Sequence, residues 1–109
     1  MYVWDIKRKT HTMNKAIWIE SNGTETEVKP NNSKDFQLDE LQGFVRGEKE
    51  KEGTIDLVSI SDDRYMVVND NGIHLMLDVN EKATKLYREI GGQSPVVGNV
   101  LVCPRKMIK

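Results

Sequence analysis

The chain has 109 residues, with 16 Lys+Arg against 17 Asp+Glu, a formal net charge of -1, one Cys and 38% hydrophobic residues. That length suits one domain with a modest core, and the charge balance lacks both the basic excess of a nucleic-acid binder and the acidic excess of a nucleic-acid mimic. A lone Cys excludes an intramolecular disulfide and a Cys-rich zinc cage, and the absence of any apolar run near the roughly 20 residues that span a bilayer, or of a signal-peptide core, leads us to expect a cytoplasmic protein.

Residues 1–12 mix Lys7, Arg8, Lys9 and His11 with Tyr2, Val3, Trp4 and Ile6 without a sustained period. They read as a leader, and a single domain is expected over residues 13–109. Ala16, Ile17, Trp18 and Ile19 form a short apolar run, Ser21-Asn22-Gly23 supplies turn residues, and Thr24 to Val28 resumes with β-branched residues alternating with acids, which together predict a hairpin. Lys29 to Ser33 is a loop, because Pro30 disfavours helix in the residue before it. Phe36, Leu38, Leu41, Phe44 and Val45 then recur at three- and four-residue steps and predict a helix, with Asp35 as its N-cap.

Gly47 to Gly53 encloses five alternating charges, read as a solvated loop or strand extension. Thr54 to Ile60 and Arg64 to Val68 are predicted strands joined at Ser61-Asp62-Asp63. Asn69-Asp70-Asn71-Gly72 supplies a tight turn into a third strand, Ile73 to Leu77, which completes an antiparallel meander. Asn80 is a good N-cap for a second helix whose apolar face is Ala83, Leu86, Tyr87 and Ile90, ended by Gly91-Gly92. Val96 to Cys103 is a nearly continuous apolar run, as expected of a strand that is buried on both sides or pairs centrally, with Gly98 marking a bulge or a close backbone contact. Pro104 ends the ladder before a short basic tail. The expected order is β-β-α-β-β-β-α-β: a two-layer α+β domain with both helices on one face of a mostly antiparallel sheet.

Signals for catalysis are missing. Ser59 and Ser61 lack the flanking glycines of a nucleophile elbow, and Cys103 lies in an apolar run that disfavours its thiolate. His74 takes the opposite parity from Ile73, Leu75 and Leu77 and reads as a structural or exposed histidine. Asp62, Asp63, Asp70 and Asp78 are turn residues by their setting, the Gly72 turn fails the calcium-loop spacing, and no histidine pair stands four apart for zinc. Gly91-Gly92-Gln93-Ser94 is not followed by the Gly-Lys of a phosphate loop. Neither an enzyme, a metal nor a cofactor is expected. One constellation remains: Arg64 on the meander, Arg88 on the second helix, and Arg105 with Lys106 after the last strand could converge across an oligomer interface to hold a phosphate or nucleotide, with Tyr65 or Trp18 as a stacking face. The bland alternative is a set of scattered, solvated cations.

From about Lys15 onward, the ordered succession Leu38-Asp39-Glu40-Leu41-Gln42, Thr54-Ile55-Asp56-Leu57-Val58, Met66-Val67-Val68-Asn69 with Gly72, Val79-Asn80-Glu81-Lys82-Ala83-Thr84 and Val97-Gly98-Asn99-Val100-Leu101-Val102 resembles domain of unknown function 3846, a family of small phage and mobile-element proteins. The charged stretch from Gly47 to Gly53 departs from the family's tight glycine turn. The shared motifs are structural and carry no catalytic residue across. The resemblance implies a setting, the bacterial host cell, and stoichiometric binding directed against host immunity. Three expectations follow from it: a non-enzymatic sponge that sequesters an immune nucleotide signal in an oligomer, a protein inhibitor of a host defence nuclease or effector, or an accessory regulatory domain with no defence role.

Overall fold

The computed structural model describes residues 15–46, 54–70 and 76–108. The expected leader, the charged segment from Gly47 to Gly53, and the turn and strand proposed over residues 71–75 lie outside the described residues. Within them the fold is α+β, as expected, with five antiparallel strands and two helices. The strands are β1 (Ala16–Ile19), β2 (Glu25–Val28), β3 (Ile55–Ser61), β4 (Arg64–Asn69) and β5 (Val100–Pro104), arranged in the order β2-β1-β5-β4-β3. Helix α1 covers Leu38–Val45 and α2 covers Glu81–Glu89.

β5 is the central strand, and all five of its residues are buried. Its continuous apolar sequence suits that place, because both faces of a central strand are covered and alternation with polar residues would strand them without water. It joins two hairpins: β1 pairs with it through Ile17↔Val102, Trp18↔Leu101 and Ile19↔Val100, and β4 pairs through Arg64↔Pro104 to Val67↔Leu101. β4 therefore lies between β3 and β5, and β5 takes the place beside β4 that the expected meander gave to its third strand. Met76 stands in a turn at φ 55°, so at least the end of that run is not strand.

The alternation of side chains sorts the core into two clusters, one on each face. Ala16, Val67, Leu101 and Cys103 meet Phe36, Leu41 and Val45 beneath α1. Ile19, Met66, Val100 and Val102 meet Ala83 and Val96, with Leu86 and Tyr87 packed against them, beneath α2. The helices thus cover opposite faces of the sheet, a correction to the expected single helical layer. A sheet whose central strand is apolar on both faces needs a cover on each, and one helix supplies each cover.

Helix α1 begins at Leu38, not before Phe36. Phe36 makes an isolated parallel bridge to Ile108, its N–H donates to Met107 O at 2.6 Å, and its ring is fully buried. Gln37 is the N-cap in place of Asp35, and its N–H donates to Glu40 Oε2 at 2.8 Å. The carbonyls at the far end of α1 are met by the sheet: Trp18 Nε1 donates to Phe44 O at 2.9 Å and Asn69 Nδ2 to Val45 O at 3.0 Å. Helix ends leave such groups without intrahelical partners, so these two bonds fasten α1 to its face.

Helix α2 starts at the expected N-cap. Asn80 is fully buried; its Oδ1 accepts from Ala83 N at 3.1 Å, while Nδ2 donates to Ile19 O at 3.0 Å and to Gly98 O at 2.9 Å. One side chain therefore ties the helix to β1 and to the approach of β5. Gly98 stands at φ +82°, so its conformation favours glycine, and a Cβ there would lie 2.8 Å from Leu77 Cδ1 and push that side-chain tip aside. This turn delays β5 until Val100, shortening the strand expected from Val96. Ile90 forms the C-cap of α2 and is 42% exposed, so the buried stripe ends at Tyr87.

Candidate functional site

After Pro104 the chain leaves the sheet in a short 3-10 helix, Arg105–Met107. Arg105 N donates to Asp63 O at 2.8 Å, holding this segment against the β3–β4 turn. The register of the sheet then determines what the Arg105 side chain meets. Ser59 is opposite Tyr65, and Tyr65 is opposite Cys103, so Ser59 and Tyr65 stand side by side on the α1 face. Arg105 Nη1 donates to Tyr65 Oη at 3.2 Å and Nη2 to Ser59 Oγ at 2.6 Å, with Cζ 4.4 Å from the centroid of the Tyr65 ring. The guanidinium is exposed at the surface yet held by two hydrogen bonds and a cation–π contact, the last worth about 0.5–1 kcal/mol at such a site.

A bulge supports this arrangement. The pairing shifts between Ser59 and Ser61, and Ser59 Oγ donates to Ser61 O at 3.2 Å while Ser61 Oγ donates to Asp63 Oδ1 at 2.8 Å. Bulges re-aim side chains near strand ends, and here the extra residue joins two serines and the turn aspartate into one network. Guanidinium carries five N–H donors, of which two are used among the described residues. Three are left for a ligand. The fork suits a phosphate or carboxylate, and Lys106, exposed, follows it in the chain.

The five residues expected to form a site do not meet within one subunit. Tyr65 and Arg105 come together, with Lys106 beside them in sequence. Arg64 starts β4 with the parity of Met66, on the α2 face, and is only 8% exposed. Arg88 is exposed in the last turn of α2, over that same face. Trp18 is committed to α1, donating to Phe44 O and packing against the Phe44 ring with centroids 5.7 Å apart. Ser59 is the residue that sequence reasoning weighed only as a nucleophile. Its signal was available, because the turn at Ser61-Asp62-Asp63 places Ser59 across from Tyr65.

Cys103 is held away from thiolate chemistry. Cys103 is fully buried and its thiol is pushed up to about 12, chiefly by burial, with the positive charge of Arg64 acting in the opposite direction. A thiol of that kind is protonated at neutral pH and packs as a small apolar group. Among the described residues no group of His, Cys, Asp and Glu could hold a metal ion, and no helix is long and apolar enough to cross a membrane. Set against protein-family models, curated proteins and solved structures, the chain matches none of them.

Proposed function

We propose that this chain is a non-enzymatic binding protein of a phage or other mobile element, acting in the cytoplasm of the host cell by stoichiometric capture of an immune nucleotide signal. The observation that carries the reading is Arg105, an exposed guanidinium held over Tyr65 and against Ser59 with three donors left. Holding the fork in place lowers the entropy lost when an anion binds, which is how preorganisation raises affinity. The resemblance to domain of unknown function 3846 supplies the setting, and the balanced net charge of -1 fits one local anion site better than a nucleic-acid tract.

Sequestration calls for an oligomer. Arg88 lies over the α2 face and Arg105 on the α1 face, so bringing them to one ligand requires unlike surfaces of two subunits to meet. Such head-to-tail contacts form a ring where the rotation between subunits closes. The test is calorimetry of the full chain with a panel of signalling nucleotides, together with native mass spectrometry. The expected result is a nucleotide bound by an oligomer and recovered chemically intact, with Arg105→Ala and Arg88→Ala each weakening binding more than tenfold. A monomer that binds no nucleotide overturns the reading.

A second reading is favoured by β3, a seven-residue strand at the edge of the five-stranded sheet, with Leu57 37% exposed. Edge strands take up partner strands, so a host nuclease or effector could add to this edge. Under that reading Val58→Pro abolishes capture of the host protein and Arg105→Ala leaves it unchanged.

A further inference from the structure

Ser59 and Arg105 are far apart in sequence, and the bond between them is the shortest that Arg105 makes, 2.6 Å against 3.2 Å to Tyr65. We infer that Ser59 is the positioning residue of an anion site on this surface, holding the Arg105 guanidinium so that its remaining N–H groups receive a phosphate oxygen pair of the ligand. The inference rests on the nucleotide reading and deepens it by naming the ligand group that the site recognises and the side chain that sets its geometry.

The hydroxyl suits the role because each of its functions is assigned. Ser59 Oγ accepts from Arg105 Nη2 and gives its own proton to Ser61 O at 3.2 Å. A hydroxyl has a single O–H, so with the proton directed at the backbone its lone pairs face the guanidinium. The bulge between Ser59 and Ser61 brings that carbonyl within reach. Tyr65 supplies a flat support and, through Oη, one long hydrogen bond at 3.2 Å. Ser59 adds the second and shorter bond at 2.6 Å, and two anchors fix the in-plane orientation of the fork where the long one alone holds it weakly.

Among the described residues no general base is placed to deprotonate Ser59: its hydroxyl faces a cation on one side and a carbonyl on the other. In this setting Ser59 orients the guanidinium and is not activated as a nucleophile. Asp63 is the nearest acid in the network. Its carboxylate accepts from Ser61 Oγ at 2.8 Å, which draws its charge toward the turn.

The experiment compares the wild-type chain with Ser59→Ala and Ser59→Thr, the latter keeping the hydroxyl. Two readouts are taken. The first is the NMR spectrum of the Arg105 guanidinium, in which separately resolved Nη protons report hindered rotation. The second is calorimetric binding of ADP and inorganic pyrophosphate, with adenosine as the phosphate-free control. Resolved Nη signals are expected in the wild type and in Ser59→Thr and a merged signal in Ser59→Ala, with ADP and pyrophosphate binding weakened at least tenfold in Ser59→Ala, held within about threefold in Ser59→Thr, and no adenosine binding throughout. If the wild type binds the anions and Ser59→Ala binds them equally well, the positioning role is overturned while the nucleotide reading stands. If the Nη signals behave as expected but the wild type binds neither anion, the assignment of a phosphate ligand to this site is overturned, whereas the nucleotide reading falls only with the panel of signalling nucleotides.

Discussion

Replacing Asn80 should unfasten α2 from the sheet, and two substitutions separate the reasons. The side chain is fully buried and makes three hydrogen bonds, one capping the helix through Ala83 N and two from Nδ2 to Ile19 O and Gly98 O. Loss of an N-cap costs about 1 kcal/mol. A buried group left without its partner costs about 1–3 kcal/mol, less where a carbonyl keeps a second donor. Asn80→Ala is therefore expected to destabilise by about 3–4 kcal/mol, a large share of the roughly 5–15 kcal/mol available to a domain. Asn80→Asp keeps a capping oxygen but turns a carboxylate toward two carbonyls, so it should cost at least as much as Ala. Urea titration followed by circular dichroism measures both; with a slope of about 1–3 kcal/mol per molar, the midpoint should fall by roughly 2 M. If Asn80→Asp lies within about 0.5 kcal/mol of the wild type, the cap alone mattered and the ties to β1 and Gly98 carry no weight.

Gly98→Ala should destabilise more than Gly91→Ala, because both enter the left-handed region at about 1–2 kcal/mol, but only at Gly98 would the new methyl meet Leu77 Cδ1, at 2.8 Å. The double variant Gly98→Ala with Leu77→Ala should lack the clash term, and denaturant midpoints will show whether the two changes fail to add. Cys103 should resist a thiol reagent at pH 8 until the chain unfolds; rapid labelling of native protein would contradict its burial. Because its pKa is raised from 9.0 to about 12 by folding, the unfolded chain loses that proton first as pH rises, so stability is unaffected by this group below about pH 9 and declines between about pH 9 and 12. Cys103→Ala should remove that part of the alkaline decline, as measured by stability against pH. Trp18→Phe should cost about 1 kcal/mol by leaving Phe44 O without its donor, read from the same urea titrations.

Much of this fold is legible in local chemistry. Asn80 is read as a cap from its type and from the periodic residues after it, and the glycine turn at Gly23 from its neighbours. The central place of β5 follows from an apolar run without alternation. That same run contains the clue to the two helical layers, since a strand apolar on both faces cannot leave one of them to water. The start of α1 is harder, because Phe36 fits the helical period and is taken out of the helix by Ile108, a residue distant in sequence. Part of the candidate site is equally non-local. Tyr65 and Arg105 were named for their chemistry, but their contact depends on where β5 ends and on how the β3–β4 turn meets it. Arg64 and Tyr65 are adjacent in sequence and therefore point to opposite faces, so the pleat separates two residues that composition alone would group together.

The place of β5 between two hairpins bears on how the chain acquires its structure during synthesis. β1–β2 and β3–β4 are each made early and each closes over a short turn, but neither finds its central neighbour until residues 100–104 have emerged. Until then each hairpin presents an unpaired inner edge and half a core, the condition under which nascent chains aggregate or recruit chaperones. Ile17 meets Val102 only by closing a loop that contains nearly all of the described chain, and long-range closure of that kind slows folding. A ribosome pause at any point before β5 has left the ribosome should therefore lengthen the exposed interval, whereas a pause after it has left should have little effect.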